Sequence, residues 1–152
     1  MDQLIQKTII TITSIVITTV VGQFFNVEPI GLFYTAITCV IITHVDFEKL
    51  IENAKNRGVG TLIGGVIGII FSYIPFPLIL KVIIGEFIII FFCEKKLKIP
   101  SAIASVVFLI IVYRITSEAP YLYGFKRVLD TFIGIIITVV ITYIFKKMNI
   151  IK

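Results

Sequence analysis

Long apolar runs broken by short polar stretches dominate the chain. The first, Leu4 to Phe25, is long enough to cross a bilayer as a helix. Its single Lys7 and the lack of a small-residue cleavage site fit a signal anchor better than a removed signal peptide. Gln23 to Glu28 forms a polar break, and Pro29 restarts the chain at a first helical turn, where no amide hydrogen is needed. The second run, Pro29 to His44, is shorter and carries Thr35, Thr38 and Thr43, whose hydroxyls can bond back to their own helix. A charged stretch, Asp46 to Arg57, places Phe47, Leu50, Ile51 and Ala54 at i, i+3, i+4 and i+7. That spacing predicts an amphipathic helix near 46–57, with Asp46 as N-cap, lying on the cytoplasmic interface and running into the next run.

The third run ends near Tyr73-Ile74, and Pro75 and Pro77 flank a tight break. The fourth spans Pro77 to Cys93 and is followed by a basic loop, Glu94 to Lys98. The fifth runs from Pro100 to about Arg114. A last loop, Ser117 to Tyr123, precedes the sixth run, Gly124 to Phe145, which stops at Lys146-Lys147. All five prolines fall at breaks or helix starts. The pattern predicts an all-α integral membrane protein with six transmembrane helices.

The third run opens on Arg57-Gly58-Val59-Gly60-Thr61-Leu62-Ile63-Gly64-Gly65-Val66-Ile67-Gly68, which holds five of the ten glycines. Gly60, Gly64 and Gly68 recur every fourth residue. In lipid such a stripe is a packing device, because small residues let helix backbones approach closely. Seventy residues later Arg127 to Gly134 repeats it without a gap: Arg57/Arg127, Thr61/Thr131, Ile63/Ile133, Gly64/Gly134, Ile67/Ile137 and Tyr73/Tyr143 are identical. The chain therefore reads as one transmembrane domain of two three-helix repeats, about 4–74 and 77–145. An odd number of spans per repeat makes the halves inverted, an arrangement transporters use with the site at the repeat interface.

Composition agrees. The chain of 152 residues is 58% hydrophobic and 15% charged, with a mean hydropathy of +1.08, whereas ordinary soluble domains run near 25% charged. The net charge of +5 is scattered between apolar runs rather than gathered in a patch, so nucleic acid is a poor partner. With the N-terminus inside, ten of the fourteen basic residues fall on the cytoplasmic side, which puts both termini there. Cys39 and Cys93 lie far apart inside apolar runs and suggest neither a disulfide nor a metal site. No cofactor or metal is implied. One histidine, no paired cysteines and no nucleophile elbow argue against an enzyme.

The amphipathic helix running into Arg57-x-x-Gly60-Thr61-x-x-Gly64 resembles the first half-motif of the fusaric acid resistance and aromatic acid exporter superfamily. Arg127-x-x-Asp130-Thr131-x-x-Gly134 resembles its partner near the last membrane helix, so the resemblance covers roughly Lys7 to Phe145. It implies a bacterial inner-membrane protein that moves small organic or aromatic anions outward against proton entry. Many relatives continue into a soluble cytoplasmic domain, whereas this sequence ends six residues after Lys146. Six short helices enclose little pathway alone, so a homo-oligomer is expected.

Several residues are candidates for the chemistry. Glu86 sits mid-span, where an ionised carboxylate is costly unless paired, protonated or wet, and is a candidate for proton coupling or a structural pair. Asp130, one turn below Arg127, is a second proton-coupling candidate or a partner for Arg127 or Lys126. Arg57 and Arg127 head the two motif copies and could hold a carboxylate through the guanidinium fork. Arg57 is equally readable as a cytoplasmic anchor. Thr61 and Thr131 could bond substrate or a neighbouring helix. Lys81 and Arg114 would snorkel, and Tyr73, Tyr113, Tyr121 and Tyr123 would form an interfacial belt. An anion channel lined by the arginines, or a structural membrane subunit, are the competing functional readings.

Overall fold

A computed structural model describes residues 3–44 and 49–150. The described residues form six α-helices and no strand: α1 (Gln3–Phe24), α2 (Pro29–His44), α3 (Leu50–Tyr73), α4 (Leu78–Ile90), α5 (Ala102–Val112) and α6 (Pro120–Lys147). Asp46 and Phe47 lie outside the described residues. The remainder of the expected amphipathic segment is continuous with the third run as the first turns of α3, where Leu50 and Ala54 are buried and Ile51 is exposed.

Three boundaries differ from the expected ones. The basic stretch after the fourth run is helical: α4 widens into a π-helical segment, Phe91–Leu97, closed by Lys98 in the left-handed region. The sixth helix starts at Pro120 rather than Gly124, because proline opens a helix as readily as it breaks one. The fifth has 11 residues, about 17 Å of helix. Two helices, α1 and α6, are long and apolar enough to cross a membrane by length and composition.

Three helices end alike. At Asn26, Arg114 and Asn149 the chain turns left-handed, with φ of 52°, 51° and 56°. The following amide returns to the carbonyl five residues back, as in Val27 to Gly22 at 2.9 Å and Ile150 to Phe145 at 3.0 Å. This closure satisfies carbonyls that a helix end leaves bare, and Asn tolerates the conformation well.

Packing divides the chain into two compact units, Met1–Arg57 with Asp130–Lys152 and Gly58–Leu129. The first unit contains α1, α2, the opening of α3 and most of α6. Along α1 every fourth residue is buried: Gln6, Ile10, Ser14, Thr18 and Gly22. From that stripe Gly22 meets Leu32 of α2 and Thr18 Oγ1 lies 3.7 Å from Cys39 Sγ, and beside it the Thr11 and Thr43 hydroxyls lie 2.7 Å apart. α6 reaches α2 at Gly134, where an added Cβ would stand 2.7 Å from the Thr35 carbonyl oxygen.

In the second unit α3 lies against α5 through its glycine face. Gly60 and Gly68 meet Ile103 and Ile111, and a Cβ on Gly64 would overlap the Ala104 carbonyl. The core there is hydrocarbon: Phe71, Ile89, Cys93, Ala104, Phe108 and Val112 cluster, with Phe71 and Phe108 edge to face at 6.0 Å. The outward residues of the helices are also apolar, as with Ile79, Ile83 and Phe87 on α4 and Ile12, Val16 and Val20 on α1. Apolar exteriors of this extent are foreign to soluble monomers and suit lipid.

Candidate functional site

The first unit encloses a cavity of about 380 Å³ between α1, α2 and α6. Val21, Leu32, Ile133 and Ile137 give it apolar walls, and Thr18, Thr35 and Asp130 supply its polar groups. Asp130 is nine-tenths buried, and a Cβ on Gly31 would stand 3.4 Å from its Oδ1, so the absence of a side chain there makes room for the carboxyl. The Thr35 hydroxyl donates to its own helix, to the Gly31 carbonyl at 2.9 Å. It therefore presents an acceptor, not a donor, to what approaches it.

One helical turn along α2, Thr38 donates to Tyr34 at 2.8 Å and accepts a long bond of 3.4 Å from Arg57 Nε. Thr35 and Thr38 are three apart and so lie side by side on one helix face. Gly134 packs between them, against the Thr35 carbonyl and the Thr38 side chain, and Cys39 Sγ donates to the Gly134 carbonyl at 3.7 Å. The first unit thus holds a buried carboxyl on a cavity wall, against Gly31, and a buried guanidinium at Thr38, about two turns along α2. Arg57 is only 6% exposed. Thr131 and Thr138 are buried in the same unit, and Thr138 bonds back to Gly134 at 2.9 Å.

The second unit holds the other candidates. Arg127 is buried, its guanidinium 4.9 Å from the Tyr123 ring centroid. That cation–π contact explains why Tyr123 is buried rather than part of a belt, while Tyr73, Tyr113 and Tyr121 are exposed. Lys126 pairs with Glu118. Glu86 is half-buried and accepts a hydrogen bond of 2.6 Å from Ser105 on α5, while its Oε1 is buried without a hydrogen-bond partner among the described residues. Thr61, on α3, is buried. No group of metal-ligating side chains occurs among the described residues.

Arg57, Thr131 and Asp130 thus belong to one unit, and Thr61, Glu86 and Arg127 to the other. Sequence reasoning missed Thr18 as a cavity residue and gave Thr35 and Thr38 only a back-bonding role. The signal was present in α1, whose small and polar residues recur every fourth position, a stripe that only a close helix neighbour requires.

The helices carry apolar outward faces, and the first unit has a polar, cavity-bearing interior. The sequence belongs to the fusaric acid resistance protein-like family, which it matches over residues 8–141. That family is associated with membrane transport rather than catalysis. No curated protein and no solved structure matches the chain.

Proposed function

We propose that the protein exports small organic carboxylates, aromatic ones included, across the bacterial inner membrane, with transport linked to proton binding. One observation carries this reading: a carboxyl on a cavity wall and a buried guanidinium, Asp130 and Arg57, share one unit and meet α2 at Gly31 and Thr38, about two helical turns apart. The cavity's volume falls within the range that accommodates a small-molecule ligand, roughly 300–1,000 Å³. Its polar groups accept hydrogen bonds, so it suits a proton or a protonated acid, while the guanidinium suits the charged form. Protonating Asp130 removes a like charge from the neighbourhood of an entering anion. Outward movement of that anion is already favoured by an inside-negative potential, by about 2.3 kcal/mol per charge per 100 mV. Thr131, buried in the same unit, is a further substrate contact in this reading, and Glu86 in the second unit is a second proton acceptor.

The reading includes six spans in two inverted repeats, both termini inside and a homo-oligomer, supported by the scatter of basic residues and the shortness of α5. A growth-inhibition panel of weak organic acids tests it, comparing cells with and without the protein. Protection against at least one acid is expected. Asp130→Asn should keep export while flattening its pH dependence, and Arg57→Gln should abolish it. A panel with no shift for any acid, with the protein present in the membrane, refutes the exporter reading. Steady anion currents in planar bilayers without proton movement would favour a channel instead.

A further inference from the structure

The first unit has another cavity, of about 250 Å³, where the opening of α3 meets the end of α6. Lys49 and Lys146 stand on its walls with Glu52, Tyr143, Leu50 and Val139. We propose that this cavity binds the headgroup of an anionic phospholipid carrying a single phosphodiester charge.

The charge count, the size and the position argue together. The two ammonium groups outweigh Glu52 by one positive charge, which matches one phosphodiester and disfavours a multiply charged ligand. The volume is below that usual for pockets holding drug-sized molecules, and suits a headgroup. From Phe132 to Phe145 α6 carries no charge, and it turns basic at Lys146 and Lys147, so its last turn marks the edge of a hydrocarbon layer. Tyr143 is 67% exposed and Ile51 66%, and the exposed Ile136, Val140 and Ile144 continue along α6 from the rim. A soluble anion would use only the lysine end of this surface, whereas a phospholipid uses the apolar flank too. Basic pockets between membrane helices are where acidic headgroups bind.

The test compares full-length protein in nanodiscs of phosphatidylcholine with discs containing phosphatidylglycerol, and reads amine-reactive labelling of each lysine by mass spectrometry. Phosphatidylglycerol should slow labelling of Lys49 and Lys146 by about fivefold each relative to Lys96. Equal slowing at Lys96 would mean a general surface potential and would overturn the proposal. So would the same protection from glycerol phosphate added to phosphatidylcholine discs, because the ligand would then be a soluble anion. In native mass spectrometry the double variant Lys49→Gln/Lys146→Gln should lose co-purifying phosphatidylglycerol, while Lys95→Gln/Lys96→Gln retains it. A double variant that fails to fold leaves the wild-type labelling to decide. The site needs a membrane around the chain but not transport, so it can stand if the exporter reading falls.

Discussion

The two units use one glycine device in different company. In the second, Gly64 brings α3 onto the Ala104 backbone, and what surrounds the contact is hydrocarbon, Phe71 and Phe108 at its centre. In the first, the equivalent Gly134 brings α6 onto α2 at Thr35, and hydroxyls surround the contact: Thr18, Thr38, Thr131 and Thr138. Both units have an apolar outside, so neither interior is set by a need to hide hydrocarbon from water. Dispersion and close fit hold the second unit together. The first spends its interior on polar groups, each costly in an apolar setting unless satisfied. Its threonines meet that cost locally, by donating to the carbonyl four residues back. They keep lone pairs for Arg57 or a ligand. The comparison sets a hydrocarbon contact at Gly64 against a hydroxyl-lined one at Gly134.

The largest effect should come from the hydrocarbon core. Phe108 is fully buried, and Phe108→Ala should cost about 3–5 kcal/mol of stability. Thermal denaturation in detergent checks this, and a loss under about 1 kcal/mol would remove the packing role given to the second unit. Next comes the glycine device. A Cβ at Gly64 overlaps backbone that cannot yield, whereas one at Gly65 would rest 3.9 Å from Val128 Cγ2. Gly64→Ala and Gly134→Ala should each cost about 1–3 kcal/mol, and Gly65→Ala almost nothing. Equal losses at Gly64 and Gly65 would show that helix propensity, not close approach, is being measured.

A smaller effect on stability, with a larger one on transport, is expected in the polar unit. Thr35→Val and Thr38→Val delete hydroxyls that bond mainly to their own helix, so each should cost no more than about 1 kcal/mol. Export should nevertheless fall, most for Thr38→Val, which removes the acceptor for Arg57 Nε. Full export from both variants, measured as acid resistance at matched protein level, would return the hydroxyl seam to a packing role.

Much of this was legible before any coordinates. Apolar runs and prolines located the six helices, and the repeat singled out Gly64 and Gly134, because both signals are local. The ends were less legible. Pro100 and Pro120 both follow a polar stretch, yet only Pro120 begins its helix, and the helical course of Glu94 to Leu97 has no residue that announces it. The site was half legible. Asp130 and Arg57 stood out as charges in apolar surroundings, but nothing in the motif announces that Arg127 lies over the Tyr123 ring or that Asp130 stands on a cavity wall. Which helix faces a charge is a tertiary fact, and a helical period cannot supply it.

The sharpest test of a polar interior is the smallest change. Ser14 is fully buried at the middle of the α1 stripe, and its hydroxyl has no hydrogen-bond partner among the described residues. A buried hydroxyl without a partner costs its desolvation, so Ser14→Ala should leave stability unchanged or raise it by up to about 1 kcal/mol. That sign is opposite to the one expected for Phe108→Ala, and denaturation of the two variants in the same detergent reads both. A loss of about 1 kcal/mol or more at Ser14 would mean that the hydroxyl has a partner after all. The polar seam of the first unit would then extend up α1, beyond the cavity, toward Thr11 and Thr43.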